Sequence, residues 1–210
     1  MAFASLAGLV LLVYILVAWR QHGRALRERG QRERLRGGMQ VNHTAYGQTF
    51  LYTATRDQTG GRRFVAVLGL EAYSSGPMAC MHPRAAVGIK VLRGCLTLSV
   101  GGKRRRLGPG EDIAIAPRTP YRYFNAGEEP VSAHVEASPA SALDMFLVQV
   151  DRSGLGHSRR GAHACLQAIC LFTAYDCTYL ASLPVWLQRT LGVLAGPLAR
   201  LLRIRTYYPE

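Results

Sequence analysis

Lysine is almost missing from this chain: Lys90 and Lys103 are the only two among 26 basic residues, set against 13 acidic ones. The net charge of +13 is therefore carried by arginine, whose planar fork suits phosphate on a lipid head group or a nucleic acid. There is no Walker-type phosphate loop, no dinucleotide glycine fingerprint after a strand, and no serine in a nucleophile elbow, which excludes the chemistries those loops support. Paired carboxylates are lacking too. Glu71, Glu111, Asp112 and Glu136 lie singly in or beside strands, and Glu111 and Asp112 read as turn residues. Five cysteines cannot all pair, and the spacing of Cys165, Cys170 and Cys177 lacks the two close pairs of a zinc site. They read as small buried apolar residues in a reducing, cytosolic setting.

What is present begins with residues 2–19, an uncharged apolar run at the short end of what spans a bilayer as a helix. No basic residue precedes it and no small-residue cleavage site follows it, so it does not read as a removable signal peptide. Trp19 closes the run where an interfacial aromatic belongs, and Arg20, Arg24, Arg27, Arg29, Arg32, Arg34 and Arg36 follow. The positive-inside rule then predicts a single-pass membrane protein whose remaining domain faces the cytoplasm. Anionic lipid is the expected partner of this basic flank and nucleic acid is not, because no aromatic residues interleave the arginines. Residues 20–45 read as a juxtamembrane segment and linker, with a helix ending at the Gly37-Gly38 hinge. Within it, Asn42-His43-Thr44 matches a glycosylation acceptor that would carry no meaning on the cytosolic side, and His43 reads as a solvated loop residue.

Residues 46–138 change character to short alternating runs cut by Gly and Pro turns, the pattern of an antiparallel sandwich or barrel. Strands are predicted over Gln48–Thr55 and Phe64–Tyr73. In Leu96–Val100 the two-residue period turns Leu96, Leu98 and Val100 inward and Thr97 and Ser99 outward. Lys103-Arg104-Arg105-Arg106 reads as a solvated or lipid-facing hairpin arm after the Gly101-Gly102 turn. By the same alternation, Tyr121 and Tyr123 share one face and Arg122 takes the other.

The ordered motifs Val91-Leu92-Arg93-Gly94, Leu96 to Gly102, Leu107-Gly108-Pro109-Gly110-Glu111-Asp112 and Pro117 to Asn125 resemble the small barrel of the cupin superfamily. The closing Tyr207-Tyr208-Pro209-Glu210 is similar to the ending of one group of cupins with a helical tail. The resemblance implies a mainly β fold, a double-stranded β-helix or jelly-roll barrel, here with an N-terminal transmembrane helix and C-terminal helices, and a homodimer. It also implies a metal cage of three histidines and a glutamate at the barrel mouth. Aligned on Gly94, this chain places Cys80, His82, Ala85-Ala86-Val87 and Tyr121 at those four positions, so one ligand of four is kept. No cofactor is therefore expected; a divalent metal would have to be held by Cys80, His82 and Tyr121. The candidate ligand pocket is Cys80, His82, Tyr121 and Tyr123. Should chemistry occur, His82, Tyr121 and Cys80 are the candidate catalytic groups, and His82 alone has an unperturbed pKa suited to a general base near neutrality.

Residues 139–210 read as helical. Ser141 and Asp144 form a capping-box signal, Ala162–Leu183 is one apolar helix, and Pro184 starts a last helix kinked at Gly196-Pro197. In that helix Leu187, Leu191, Leu194, Leu198 and Leu201 form a stripe flanked by arginines, for contact with either the barrel or a membrane surface. Two functions stay open: a membrane-anchored, metal-free module holding a small hydrophobic ligand or metabolite in the barrel, or a cupin-type enzyme of the isomerase, cyclase or metabolite-tailoring kind.

Overall fold

A computed structural model describes residues 2–27, 33–157 and 161–209; in the first helix the side chains described are those of residues 8–20. Helix α1 covers Ala2–Arg27. The strands are β1 (Gln40–His43), β2 (Gln48–Ala54), β3 (Phe64–Leu70), β4 (Cys80–Met81), β5 (Ala86–Arg93), β6 (Leu96–Val100), β7 (Lys103–Leu107), β8 (Asp112–Ile115), β9 (Tyr121–Phe124) and β10 (Val131–Ser138). Helices α2 (Leu143–Arg152) and α3 (Ala162–Tyr175), strand β11 (Tyr179–Leu180) and helix α4 (Val185–Leu201) complete the chain.

Alternation builds two facing antiparallel sheets, ordered β1-β2-β3-β10-β5-β8 and β11-β4-β9-β6-β7. The chain crosses repeatedly from one sheet to the other, as a jelly roll does, giving a mainly β, cupin-like fold with appended helices. In β10, Val131, Ala133, Val135 and Ala137 point into the core while Ser132, His134 and Glu136 face out. Gly101 and Gly102 both take positive φ and close the β6–β7 hairpin with Val100 opposite Lys103, the turn that matches strand twist. Strand β7 is an edge whose four basic residues are exposed, a composition that blocks further strand addition.

Several expectations change. The barrel begins at Gln40, since β1 pairs with β2, so part of the expected linker is sheet. Thr97 is buried rather than solvent-facing, because on its outer face Phe124 and Arg106 flank it in register and Arg104 lies over the Phe124 ring. Helix α1 ends at Arg27, residues 28–32 lie outside those described, and Leu35 is already buried in the core, so no helix reaches Gly37-Gly38. Residues 2–7 of the expected span also lie outside the described side chains; among the described residues no helix is long and apolar enough to cross a membrane.

The C-terminal helices differ as well. Ser141 does not cap α2. Instead the Asp144 carboxylate accepts from the backbone N–H groups of Met145 and Arg56, both at 2.8 Å, and so ties the helix to the loop after β2. Helix α3 stops at Asp176, which adopts a left-handed conformation, and the residues expected to continue it form β11 against β4. The Asp176 carboxylate, held below the usual range although burial opposes it, accepts from Tyr179, Arg84 and Arg189, fixing this corner to α4. Pro184 is the N-cap of α4, one place before the expected position, and the helix runs on through Pro197. Its buried residues are Gln188, Gly192 and Ala199; of the leucine stripe, Leu187 is half-buried and Leu191, Leu194, Leu198 and Leu201 are exposed. A side chain at Gly192 would overlap Thr173 of α3, so close helix approach requires the small residue there. Helix α1 lies along α4, where the Tyr14 hydroxyl donates to the Leu194 carbonyl.

Candidate functional site

Strand β9 turns Tyr121 and Tyr123 into the barrel, with their rings stacked at 6.4 Å, and Arg122 outward to the Ser75 carbonyl. Strand β4 sets Cys80 opposite Tyr121 and delivers His82 just beyond its end. On the facing sheet, the end of β1 and the start of β2 bring in His43 and Gln48. Tyr121, Tyr123, Cys80, His82, His43 and Gln48 line one cavity of about 390 Å³. Its walls are apolar: Phe50, Phe64 and Ile89 from the barrel, Phe146 from α2, and Ile169 and Phe172 from α3. Phe146 stacks on Phe172 at 5.7 Å across this end of the barrel. No Asp, Glu, Lys or Arg side chain among the described residues lines it.

The polar groups form two relays, each ending on a main-chain carbonyl. His82 Nδ1 lies 2.8 Å from the Cys177 oxygen and Nε2 lies 2.9 Å from the Tyr121 hydroxyl. A carbonyl can only accept, so Nδ1 carries the proton and the Tyr121 hydroxyl donates to Nε2. In the second relay His43 Nε2 donates to the Leu147 carbonyl at 3.0 Å, which leaves Nδ1 to accept from the Gln48 amide at 3.0 Å. The Gln48 oxygen must then accept the Tyr123 hydroxyl proton, also at 3.0 Å. Burial keeps both imidazoles neutral by pushing their pKa values below the ordinary one, and it raises the Tyr121 and Tyr123 hydroxyls well above theirs.

These contacts decide what each candidate can do. Cys80, in hydrogen-bond contact with Thr178 and Tyr121, is pushed by burial to a pKa of about 11, so it keeps its proton and is a poor nucleophile. His82 does not face the cavity with a free lone pair; it acts through Tyr121, which holds that position. Arg84 pairs with Asp176 and does not line the cavity. His43, expected in a solvated loop, is 2 % exposed and anchors the second relay. Cys80, His82 and Tyr121 do converge, but they make a poor metal cage: both imidazole nitrogens are committed, and among the described residues no carboxylate lines the cavity. Among the described residues no group of three or more His, Cys, Asp or Glu is placed to hold an ion.

The neutral His82 makes stability pH-dependent. Its folded-state pKa lies below the usual 6.5, so on acidification the unfolded chain takes up the proton first and the folded state loses ground. Between about pH 7.5 and about pH 5.5 the midpoint of thermal unfolding should fall, and the His82→Asn variant should show a shallower fall from a lower starting point. The buried Asp144 carboxyl, raised by burial, pulls the other way at lower pH in both proteins. Parallel profiles for the two proteins would remove His82 as the cause.

Residues 68–135 match the family model described as Cupin domain. The match covers 68 of the 210 residues and is a likeness to that family over this part of the barrel. No curated protein matches the chain. Among solved structures it is similar to KdgF from Halomonas sp., at 18% identity and TM-score 0.41, covering 47% of this chain and 85% of that one. A sugar phosphate isomerase of the cupin superfamily from Silicibacter pomeroyi matches at 19% identity and TM-score 0.40, covering 50% and 67%. The polyketide cyclase RemF from Streptomyces resistomycificus matches at 19% identity and TM-score 0.40, covering 44% and 66%. The cupin match spans β3 to β10 and thus includes β4 and β9, which carry Cys80, Tyr121 and Tyr123, but it stops short of His43, Gln48 and the helices over the cavity.

Proposed function

We propose that the protein is a membrane-anchored cupin-like module that holds a small, uncharged hydrophobic molecule in its barrel. The observation that carries this reading is the cavity itself: about 390 Å³, walled by aromatic and aliphatic side chains and free of charged groups among the described residues. A membrane setting is supported by the leucine faces left open beside it. Leu9 to Val17 and Trp19 of α1 are exposed, and so are Trp186, Leu198 and Leu201 of α4, far more apolar surface than a soluble monomer leaves bare. The arginine flank after residue 19 places the barrel on the cytoplasmic side in this reading. A second reading, an isomerase or cyclase, draws on one feature: the Tyr121 hydroxyl, backed by a neutral His82 of fixed tautomer, is built to pass a proton at the cavity wall.

The test is to purify the full chain in mild detergent, extract it with organic solvent and identify what is released by mass spectrometry. A stoichiometric apolar compound is expected. The Ala168→Trp variant, whose indole would occupy the cavity from α3, should carry less than about a tenth as much while keeping the parent's circular dichroism spectrum. A parent that carries no such compound and takes up no added 1-dodecanol rejects the reading.

A further inference from the structure

The two relays fix more than the histidine tautomers. Each begins at a main-chain oxygen, Cys177 in one case and Leu147 in the other, and each therefore runs in a single direction. At the cavity end both finish on a tyrosine hydroxyl whose proton is already committed, Tyr121 to His82 and Tyr123 to Gln48. A phenol that has donated its proton still offers lone pairs and can only accept. For Tyr123 the bond to Gln48 is the one its hydroxyl makes among the described residues, so those lone pairs are available. Both hydroxyls are buried and stand on the same strand, two residues apart, in the polar part of an otherwise apolar chamber.

We infer that the cavity selects, among apolar molecules, those bearing an uncharged hydrogen-bond donor, such as a lipid alcohol or a phenol, which it anchors on the oxygen of Tyr123. This rests on the reading that the cavity holds a small hydrophobic ligand, and it adds the chemistry of that ligand's head. Charged heads are disfavoured from both sides. Among the described residues no carboxylate lines the cavity to receive a cation, and no Lys or Arg lines it to receive an anion. A molecule with no polar head would leave the lone pairs of the Tyr123 oxygen buried without a partner, whereas a hydroxyl restores the bond that they give up when water is expelled. The donor is thus what separates otherwise equal ligands.

Two constitutional isomers isolate this term. 1-Dodecanol carries a donor and 1-methoxyundecane, built from the same atoms, carries none. Equilibrium dialysis of the full chain against each is expected to show the alcohol bound about three- to tenfold more tightly, the worth of one hydrogen bond. Tyr123→Phe should bring the two towards parity by weakening the alcohol and leaving the ether unchanged. Gln48→Met supplies a second, independent arm: with its acceptor gone, the Tyr123 hydroxyl is free to turn its proton to the cavity and donate to the ether oxygen, so the ether should gain. Equal binding of both isomers to the unaltered protein, or a preference that survives Tyr123→Phe, overturns the inference while leaving a hydrophobic cavity intact. Binding of neither isomer overturns the cavity reading and the inference with it.

Discussion

Replacing Gly76 with alanine is expected to lower the stability of the protein by about 3 kcal/mol or more, and its melting midpoint by about 6–12 °C. Gly76 takes φ +60°, and a Cβ there would overlap the Tyr123 carbonyl oxygen and approach the carbonyl carbon to 3.0 Å. Both obstacles are backbone, so no rotamer change relieves them. The segment cannot swing aside either, since the Asn125 N–H donates to the Ser74 carbonyl at 3.0 Å and Arg122 donates to that of Ser75 at 2.9 Å. What has to move is β9, which carries Tyr121 and Tyr123, so the same variant should lose ligand binding. Gly102→Ala is the control. Its φ is +82° but nothing lies within 4 Å of its Cβ position, so it should cost only the strain of a left-handed alanine, about 1 kcal/mol. Circular dichroism melts of the two variants decide the matter; equal losses would mean that backbone strain, and not the collision with β9, sets the cost.

Removing residues 1–27 is expected to lower the fraction of protein bound to anionic lipid vesicles by at least about tenfold, read by co-sedimentation. From Leu9 to Leu16 the leucine and valine side chains of α1 are each more than half exposed, and each such side chain contributes about 1.5–3 kcal/mol when taken out of water. The cut ends at residue 27 for a structural reason. Glu33 receives two bonds from Arg152, at 2.7 and 3.1 Å, and Leu35 is buried, so a longer deletion would damage the domain. The truncated protein keeps the exposed leucines of α4, and Leu198→Glu placed on it should remove the residual binding. Full-length and truncated proteins that sediment alike would rule α1 out as the anchor.

The barrel was legible because its strands obey a strict period: Leu96–Val100 was bounded as observed, and Tyr121 and Tyr123 share the inner face as their spacing required. His43 and Gln48 were harder to find. Strand β1 has four residues, and Gln40 and Asn42 alternate outward with a glycosylation-like triplet at its end, so its pattern is too short to declare a buried face. Its burial comes from the neighbouring β2 together with α2, whose Leu147 carbonyl lies 104 residues further along the chain than His43. The end of α3 was hidden because Asp176, not glycine, adopts the left-handed cap, held there by two arginines and Tyr179. The exposure of Leu194, Leu198 and Leu201 on α4 follows from Gly192: close approach to Thr173 turns the small residues towards α3, while Leu191 lines the cavity.

The carbonyl acceptors that end both relays lie outside the strands they organise. Leu147 belongs to α2, and Cys177 to the turn between α3 and β11. A fragment cut at residue 138 would keep every strand from β1 to β10 yet orphan His43 and His82 at once, and would strip β11 from the edge of β4. Barrel and helices are thus one cooperative unit, and a chimaera that grafts this barrel onto another tail would inherit its shape without its recognition chemistry.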